Sequence, residues 1–324
     1  MLLHAQVDTG SLTGVVADSS GARVAGALVT LTNANTGVAV NVPSTSTGIY
    51  FFGGVVAGTY SLQVTQKGFR TFKANGIQIH VQQTDNLDVH LQVGVQNENV
   101  TVTTSAALLQ TEDATLGQTV TGEAVDDLPL DGRDWTSLAM ISAGVTTIWQ
   151  GNASNQQFVV NGIIFSQNDY RLNGIDNNQE VYSANPSIVP PPDAIQEFKL
   201  QSGDFSAEFG HSTGGIVNAT IKSGGNQVHG DLFEYVENND FNANDYFSKQ
   251  AGLPIAGYHQ NQFGGTVGGP VFIPKLYNGR KKTFFFFDYQ GTRLHTASTS
   301  FSTVPTALQA SSGFTNLSDL ITYS

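Results

Sequence analysis

The chain has 324 residues, room for two or more ordinary domains. Its 14 basic and 26 acidic residues leave a formal net charge of −12, which argues against a phosphate-binding surface and so against nucleic-acid partners. With no cysteine, disulfides, thiol nucleophiles and thiolate metal sites are excluded.

Charged residues make up only 12% of the chain, and 35 residues are glycine. No stretch of about 20 apolar residues could cross a membrane as a helix. A membrane β-barrel stays open, because its strands need only about 10 alternating residues each. Low charge, abundant glycine and many polar and aromatic residues therefore point to an exported, β-rich chain. Residues 1–6 read either as an ordinary terminus or as the remnant of a signal peptide.

Residues 7–94 alternate repeatedly. Ala27, Val29 and Leu31, then Tyr60, Leu62 and Val64, then Ile77, Ile79 and Val81, then Leu87, Val89, Leu91 and Val93 each occupy every second position. A period of two places each set on one face of a strand, to be buried against a second sheet. Ser20-Gly21, Asn35-Thr36-Gly37, Ala57-Gly58 and Asn75-Gly76 supply turn signals between the runs. The pattern predicts a sandwich of about seven strands. His80 and His90 lie ten residues apart and are expected at solvated strand positions, not as a metal pair.

Thr13-Gly14-Val15-Val16-Ala17-Asp18, Gly26-Ala27-Leu28-Val29-Thr30-Leu31, Thr47-Gly48-Ile49-Tyr50-Phe51-Phe52, Gly58-Thr59-Tyr60 and Gly68-Phe69 resemble a carboxypeptidase regulatory-like domain. The resemblance implies a transthyretin-like sandwich and an accessory module without catalytic residues.

Residues 95–106 form a linker. Within it, Glu98-Asn99-Val100-Thr101-Val102-Thr103 is a short β-prone run beside flexible residues, a segment that can add to a partner's sheet edge. It resembles a TonB box, the segment by which outer-membrane receptors are gripped from the periplasm. It reads equally as a last strand of the sandwich.

Helix and strand signals mix over residues 107–225, predicting a compact α+β domain. Trp135, Leu138, Ala139 and Ser142 share a helical face, with Gly144 placed as a stop. Phe158-Val159-Val160-Asn161-Gly162 reads as a strand entering a turn, Leu172-Asn173-Gly174-Ile175-Asp176-Asn177-Asn178 as a second turn-rich loop, and Pro192 to Phe198 suits a short helix. Asp169, Asp176 and Glu180 do not have EF-hand spacing and read as turn chemistry. Arg171 and Glu208 are candidates for polar contacts with a barrel wall.

Leu128-Pro129-Leu130-Asp131-Gly132-Arg133-Asp134, Val160-Asn161-Gly162, Leu172-Asn173-Gly174-Ile175-Asp176-Asn177 and Ile195-Gln196-Glu197-Phe198-Lys199 follow one another in this region. So do Ser206-Ala207-Glu208-Phe209-Gly210, Gly214-Gly215-Ile216-Val217-Asn218 and Ile221-Lys222-Ser223-Gly224-Gly225-Asn226. In this order they resemble the plug domain of Oar-like TonB-dependent outer-membrane receptors. Asn173 stands where that family commonly has aspartate. The resemblance implies that Asp131, Gly132, Arg133, Asn161, Gly162, Asp176, Glu208, Gly210, Gly214, Gly215, Asn218, Lys222 and Gly224 are plug motif residues.

In residues 226–324, Asn261, Phe263, Gly265, Val267, Gly269, Val271 and Ile273 alternate with Gln262 and Thr266. Phe285, Phe287 and Tyr289 alternate with Asp288, Gln290 and Thr292. Apolar-out and polar-in alternation with aromatics suits barrel strands, although Phe284 to Phe287 also reads as a buried strand. Gly264-Gly265-Thr266-Val267-Gly268-Gly269 has no following Lys-Ser/Thr and is no phosphate loop. His229-Gly230, Phe263-Gly264-Gly265, Gly268-Gly269-Pro270 and Thr283-Phe284-Phe285-Phe286 resemble the first barrel strands of the same receptors. A plugged barrel of about 22 strands needs several hundred residues, so the expectation is the amino-terminal portion of a receptor.

The predicted fold is mostly β: a transthyretin-like sandwich, an α+β plug, and the first strands of an incomplete transmembrane β-barrel. The resemblance implies active uptake of an unidentified substrate by the intact protein, a TonB-type inner-membrane energising complex as partner, outer-membrane lipid around the barrel, and a periplasm-facing amino-terminal domain. The other reading is a secreted or surface β-sandwich carbohydrate-binding module without transport. No His-Glu-x-x-His pattern occurs, and no catalytic, metal or cofactor residue is expected.

Overall fold

The computed structural model describes residues 9–94, 99–103, 115–128, 130–148, 157–179, 185–205, 209–210, 212–244, 246–250, 252–297, 305–316 and 318. Contacts divide the chain into two compact units. One holds residues 1–232 with 265–290, and the other holds 233–264 with 291–324.

The first unit begins with a β-sandwich. One sheet contains β1 (Thr9–Asp18), β4 (Ile49–Val56), β7 (Thr84–Asn86) and β8 (Val89–Leu91). β4 pairs antiparallel with β1, while β7 and β8 pair parallel with its two halves. The other sheet has the order β3-β2-β5-β6-β9. Its strands are β2 (Leu28–Asn33), β3 (Ala39–Pro43), β5 (Gly58–Thr65), β6 (Thr71–Ile79) and β9 (Asn99–Thr103). Nine strands form where about seven were expected, because residues 84–91 divide into two short strands and 99–103 joins the second sheet. Asn75-Gly76 is not a turn. Tyr60 faces Ile77 and Ser61 faces Asn75, so Gly76 is the extra residue of a bulge inside β6.

Most of the alternating residues do what their period requires, but Val93, at the end of its run, is 71% exposed. Leu12, Val16, Val29, Leu31, Phe52, Leu62, Val64, Ile77, Ile79, Val89 and Leu91 pack into one core. Tyr50 is buried among them, edge-on to Phe52 at 6.0 Å. Its hydroxyl donates to the Leu87 carbonyl oxygen at 2.6 Å, and burial pushes its ionisation well above the usual phenol range. Tyr50→Phe keeps the ring and strands that carbonyl. The expected loss is about 1–3 kcal/mol, the desolvation cost of a buried group left unpaired. Urea unfolding of wild type and variant checks it, and equal midpoints would refute it.

The second part of this unit is a mixed sheet of order β10-β15-β16-β13-β14. The strands are β10 (Leu116–Thr121), β13 (Asp169–Leu172), β14 (Ile175–Asp176), β15 (Ile195–Gly203) and β16 (Ile216–Ile221). β13 runs parallel to β16, and the other pairs are antiparallel. A hairpin of β11 (Val145–Ile148) and β12 (Gln157–Val160) accompanies it. One face of the sheet, with Val120, Phe198, Leu200, Val217 and Ala219, packs with Val125 of α1 (Gly122–Asp127) and with Trp135, Leu138 and Ala139. The expected helix around Trp135 is a 3-10 helix, Trp135–Ile141. Asp134 caps it, accepting from the Thr136 backbone N–H at 2.9 Å and hydroxyl at 2.8 Å.

Residues 192–198 depart from expectation. Only Pro192–Ala194 is helical, a single 3-10 turn, and β15 begins at Ile195. Strand pairing with β10 and β16 on both sides outweighs the local signal from Pro191 and Pro192.

Three long strands follow, β17 (His229–Asn238), β18 (Tyr258–Pro270) and β21 (Phe284–Thr296), paired in the order β17-β18-β21. Between the last two, β19 (Phe272–Ile273) and β20 (Tyr277–Asn278) make a small hairpin. Phe285, Phe287 and Tyr289 are exposed, whereas Phe284, Phe286 and Asp288 are half-buried. Gln262 and Thr266 are buried and Val267 is exposed. Around residues 262–267 and 287–290 apolar side chains thus face outward and polar ones inward, as in a membrane barrel wall, whereas Phe284 and Phe286 lie on the inner face. The three strands form an open sheet. The second unit adds α2 (Tyr246–Gln250) and α3 (Ala307–Ser311), the latter closed by a capping box of Thr306 and Gln309.

Candidate functional site

The predicted motif residues are turn and joint residues of the α+β region. Asp131, Gly132 and Arg133 form a 3-10 turn. The Arg133 guanidinium pairs with the Asp193 carboxylate just ahead of β15, tying the turn to the sheet. Asn161 and Gly162 both have positive φ. Asn161 donates through its side-chain amide to the Ser202 carbonyl at 2.7 Å, fastening this turn to the end of β15.

Asn173 and Gly174 form the two-residue loop between β13 and β14, with φ of 51° and 72°. Positive φ at both positions is the type I′ turn, for which Asn-Gly is the best pair. The Asn173 carbonyl oxygen of the side chain accepts from the Ile221 N–H at 2.9 Å, which accounts for asparagine here. The Asp176 carboxylate accepts from the Asn178 N–H at 2.8 Å, the turn role expected of it.

Gly214 donates from its backbone to the Gln167 carbonyl at 2.9 Å, and Gly215 to the Asn168 side-chain oxygen at 3.1 Å. Asn218 is buried in β16, and the Lys222 N–H donates to the Ala194 carbonyl at 2.8 Å. A Cβ on Gly224 would lie 2.2 Å from the Phe285 carbonyl oxygen and 2.8 Å from that of Gly269. Only glycine permits the chain to pass so close to β18 and β21. Gly210 lies at an exposed turn. Glu208, Glu180 and Glu98 lie outside the described residues.

Arg171 is engaged within its own sheet. Its guanidinium pairs with Asp169 at 3.0 Å and lies 4.7 Å from the centre of the Phe209 ring. Asp169, at 2% exposure, also accepts from the Asn178 side chain at 2.8 Å. Arginine and aspartate two apart on one strand share a face, so the sheet satisfies both locally. Among the described residues no group of three or more His, Asp or Glu side chains is arranged to hold a metal.

The sheet face opposite the apolar core carries polar residues whose burial and partners the sequence did not reveal. Glu197, Lys199 and Gln201 alternate along β15 and are buried to 4%, 5% and 1% exposure. The Glu197 carboxylate takes a hydrogen bond from the Val81 N–H at 3.0 Å and pairs with His80 Nδ1 at 2.9 Å. The Lys199 ammonium donates to the carbonyl oxygens of Val81 at 3.1 Å and Gln82 at 2.6 Å. The Gln201 amide donates to the Gln82 side-chain oxygen at 3.1 Å. Next to them, the Gln196 amide donates to the Ala57 carbonyl at 2.8 Å. His80 is therefore not a solvated strand residue, while His90 is exposed as expected. The signal was the polar alternation of 197, 199 and 201 itself, which cannot be told from a solvated face without the distant partner.

The candidate coupling segment is held on the same sandwich. Asn99 to Thr103 form β9, an edge strand parallel to β6, with Thr71 opposite Asn99 and Asn75 opposite Thr103.

A family described as "Carboxypeptidase regulatory-like domain" matches residues 11–92, and one described as "Outer membrane beta barrel domain" matches residues 220–323. Over 296 residues the chain is 25% identical to the TonB-dependent transporter Oar of Myxococcus xanthus, covering 87% of this chain and 27% of that protein. It thus spans about a quarter of the length of this curated relative. Two solved structures have TM-scores of 0.40. The outer membrane transporter YddB from Escherichia coli is 17% identical over 48% of this chain and 24% of its own. The siderophore receptor PirA from Acinetobacter baumannii is 20% identical over 56% of this chain and 25% of its own. By sequence, the chain is a homologue of the TonB-dependent transporter Oar and a protein of the outer membrane, with a carboxypeptidase regulatory-like domain ahead of outer-membrane barrel strands.

Proposed function

We propose that this chain supplies the periplasmic sandwich, the plug and the first barrel strands of a TonB-dependent outer-membrane receptor that takes up a substrate. Residues 107–225 are the plug, residues 226–324 begin the barrel, and Glu98 to Thr103 are the coupling segment gripped by a TonB-type energising protein. The observation that carries this reading is the 296-residue match to a TonB-dependent transporter, which runs through sandwich, α+β region and barrel strands alike. A free-standing binding module accounts for residues 11–92 and leaves the rest without a purpose. The work asked of this part is mechanical: a locally weak element is displaced to open a path.

The placement of the coupling segment supports the assignment. Among the described residues β9 is the last strand of its sheet and pairs on one side only, so it can leave without breaking the sheet behind it. An energising partner that adds a strand must take β9 away from β6 or pair with its free edge.

The absence of native cysteine allows a clean test. Lys73 and Thr101 are register partners, and Lys73→Cys with Thr101→Cys allows β9 to be locked by oxidation. The whole chain in detergent is titrated with the soluble periplasmic domain of a TonB-type protein. Binding is expected in the reduced state, at least tenfold weaker after oxidation, and restored by reductant. Binding that is absent in both states, or unaffected by Val100→Pro and Val102→Pro, would remove the coupling assignment.

A further inference from the structure

Two β-structures meet across the row Glu197, Lys199 and Gln201, and the segment that meets it is short. His80, Val81 and Gln82 offer one imidazole, one N–H, two backbone carbonyls and one side-chain oxygen, and each of these five groups is engaged by that row. Gln82 has φ of 53°, a left-handed conformation that a non-glycine residue adopts at some cost. That conformation accompanies the two successive carbonyls, of Val81 and Gln82, that meet one ammonium. The Gln82 N–H donates to the Thr9 carbonyl at 3.0 Å, anchoring the segment to the start of β1.

We propose that His80, Val81 and Gln82 are a clasp that fastens the sandwich to the polar face of the five-stranded sheet, and that this clasp is tight in mild acid and loosens as pH rises. The Glu197 carboxylate, nearly excluded from water, is bridged on one oxygen by the imidazole and on the other by the Val81 N–H. Protonating the imidazole turns that bridge from a hydrogen bond to a carboxylate into an ion pair with a charged donor. The charged groups facing His80 are Glu197 and Lys199 from β15 and Asp85 from β7. The hydrogen bond that the imidazole donates to Glu197 raises it above histidine's ordinary range, against the opposing effect of burial. The charges of Glu197 and Asp85 add to the rise and that of Lys199 opposes it.

The sign follows from linkage. A histidine whose proton is held more tightly in the fastened state contributes its full stabilisation below its free pKa, near 6.5. That contribution disappears as pH rises through the raised value. Each pH unit by which the clasp raises His80 is worth tenfold in the fastening equilibrium. This inference rests on the geometry of the joint and is independent of the transport reading.

The Val81 amide is a built-in reporter, because its N–H is the one that Glu197 holds. Hydrogen exchange of the whole chain, corrected for the intrinsic rate, gives its protection at each pH. In the wild type, protection is expected to fall as pH rises above the free-histidine value near 6.5, by up to tenfold for each unit of the His80 shift. In His80→Gln the protection should not vary with pH. In Glu197→Gln the His80 ring, followed by NMR, should titrate lower than in the wild type. Leu62, in the sandwich core, should keep its protection throughout. A Val81 protection independent of pH in the wild type, an equal dependence in His80→Gln, or a fall shared by Leu62 would each overturn the clasp.

Discussion

Trp135→Ala should cost about 3–5 kcal/mol of stability, the range for emptying a fully buried aromatic site. Trp135 is 0% exposed and meets Phe198 of β15 edge-on, with ring centroids 5.8 Å apart and planes at 63°. It is the first residue of a 3-10 helix whose next members, through Ala139, are also buried. The lost volume is hard to refill, because Phe198 is fixed by a central strand and Leu138 by the same short helix. Urea unfolding followed by near-ultraviolet circular dichroism measures it. A change below about 1 kcal/mol would mean that the site collapses around the deletion and that Trp135 is not the keystone of this core.

Lys199→Met should loosen the joint between sandwich and sheet more than any surface change. The methionine fills the stem's space, but the carbonyls of Val81 and Gln82 lose a charged donor. A buried acceptor left unpaired costs about 1–3 kcal/mol, and two are created here. The Glu197 carboxylate also loses a neighbouring cation on its own strand face. The expected readout is selective: limited proteolysis at residues 80–85 accelerates at least tenfold, while the sandwich core holds its amide protection. Lys199→Arg, which retains charge and donors, should recover part of the loss. Unchanged proteolysis in Lys199→Met would show that the ammonium is not what holds residues 81 and 82.

The sandwich was legible because its signal is local. Runs such as Tyr60-Leu62-Val64 need only their own alternation to announce a buried face, and the core contains them. Asn173-Gly174 was legible for the same reason, since a two-residue loop of positive φ selects its own residues. The outward aromatics of β21 were read from period alone. Three features escaped. Residues 195–198 carried a proline start signal stronger than their alternation, and only pairing on both sides makes them a strand. His80 was read as solvated because its partner, Glu197, lies 117 residues away. The pairing of Arg171 with Asp169, two residues before it on the same face, was not read from the sequence. A buried polar face and a wet one have the same sequence period, so polarity alternation alone cannot say which of the two a strand has.

The parallel attachment of β9 to β6 has a mechanical meaning. Traction along the axis of an edge strand loads all of its backbone rungs together, and they must rupture as a group. Traction across that axis, from one end, breaks them in succession at much lower force. The same short ladder is thus a firm anchor in one direction and a zipper in the other. The angle of approach of a pulling protein, more than its affinity, would set how readily the segment peels away.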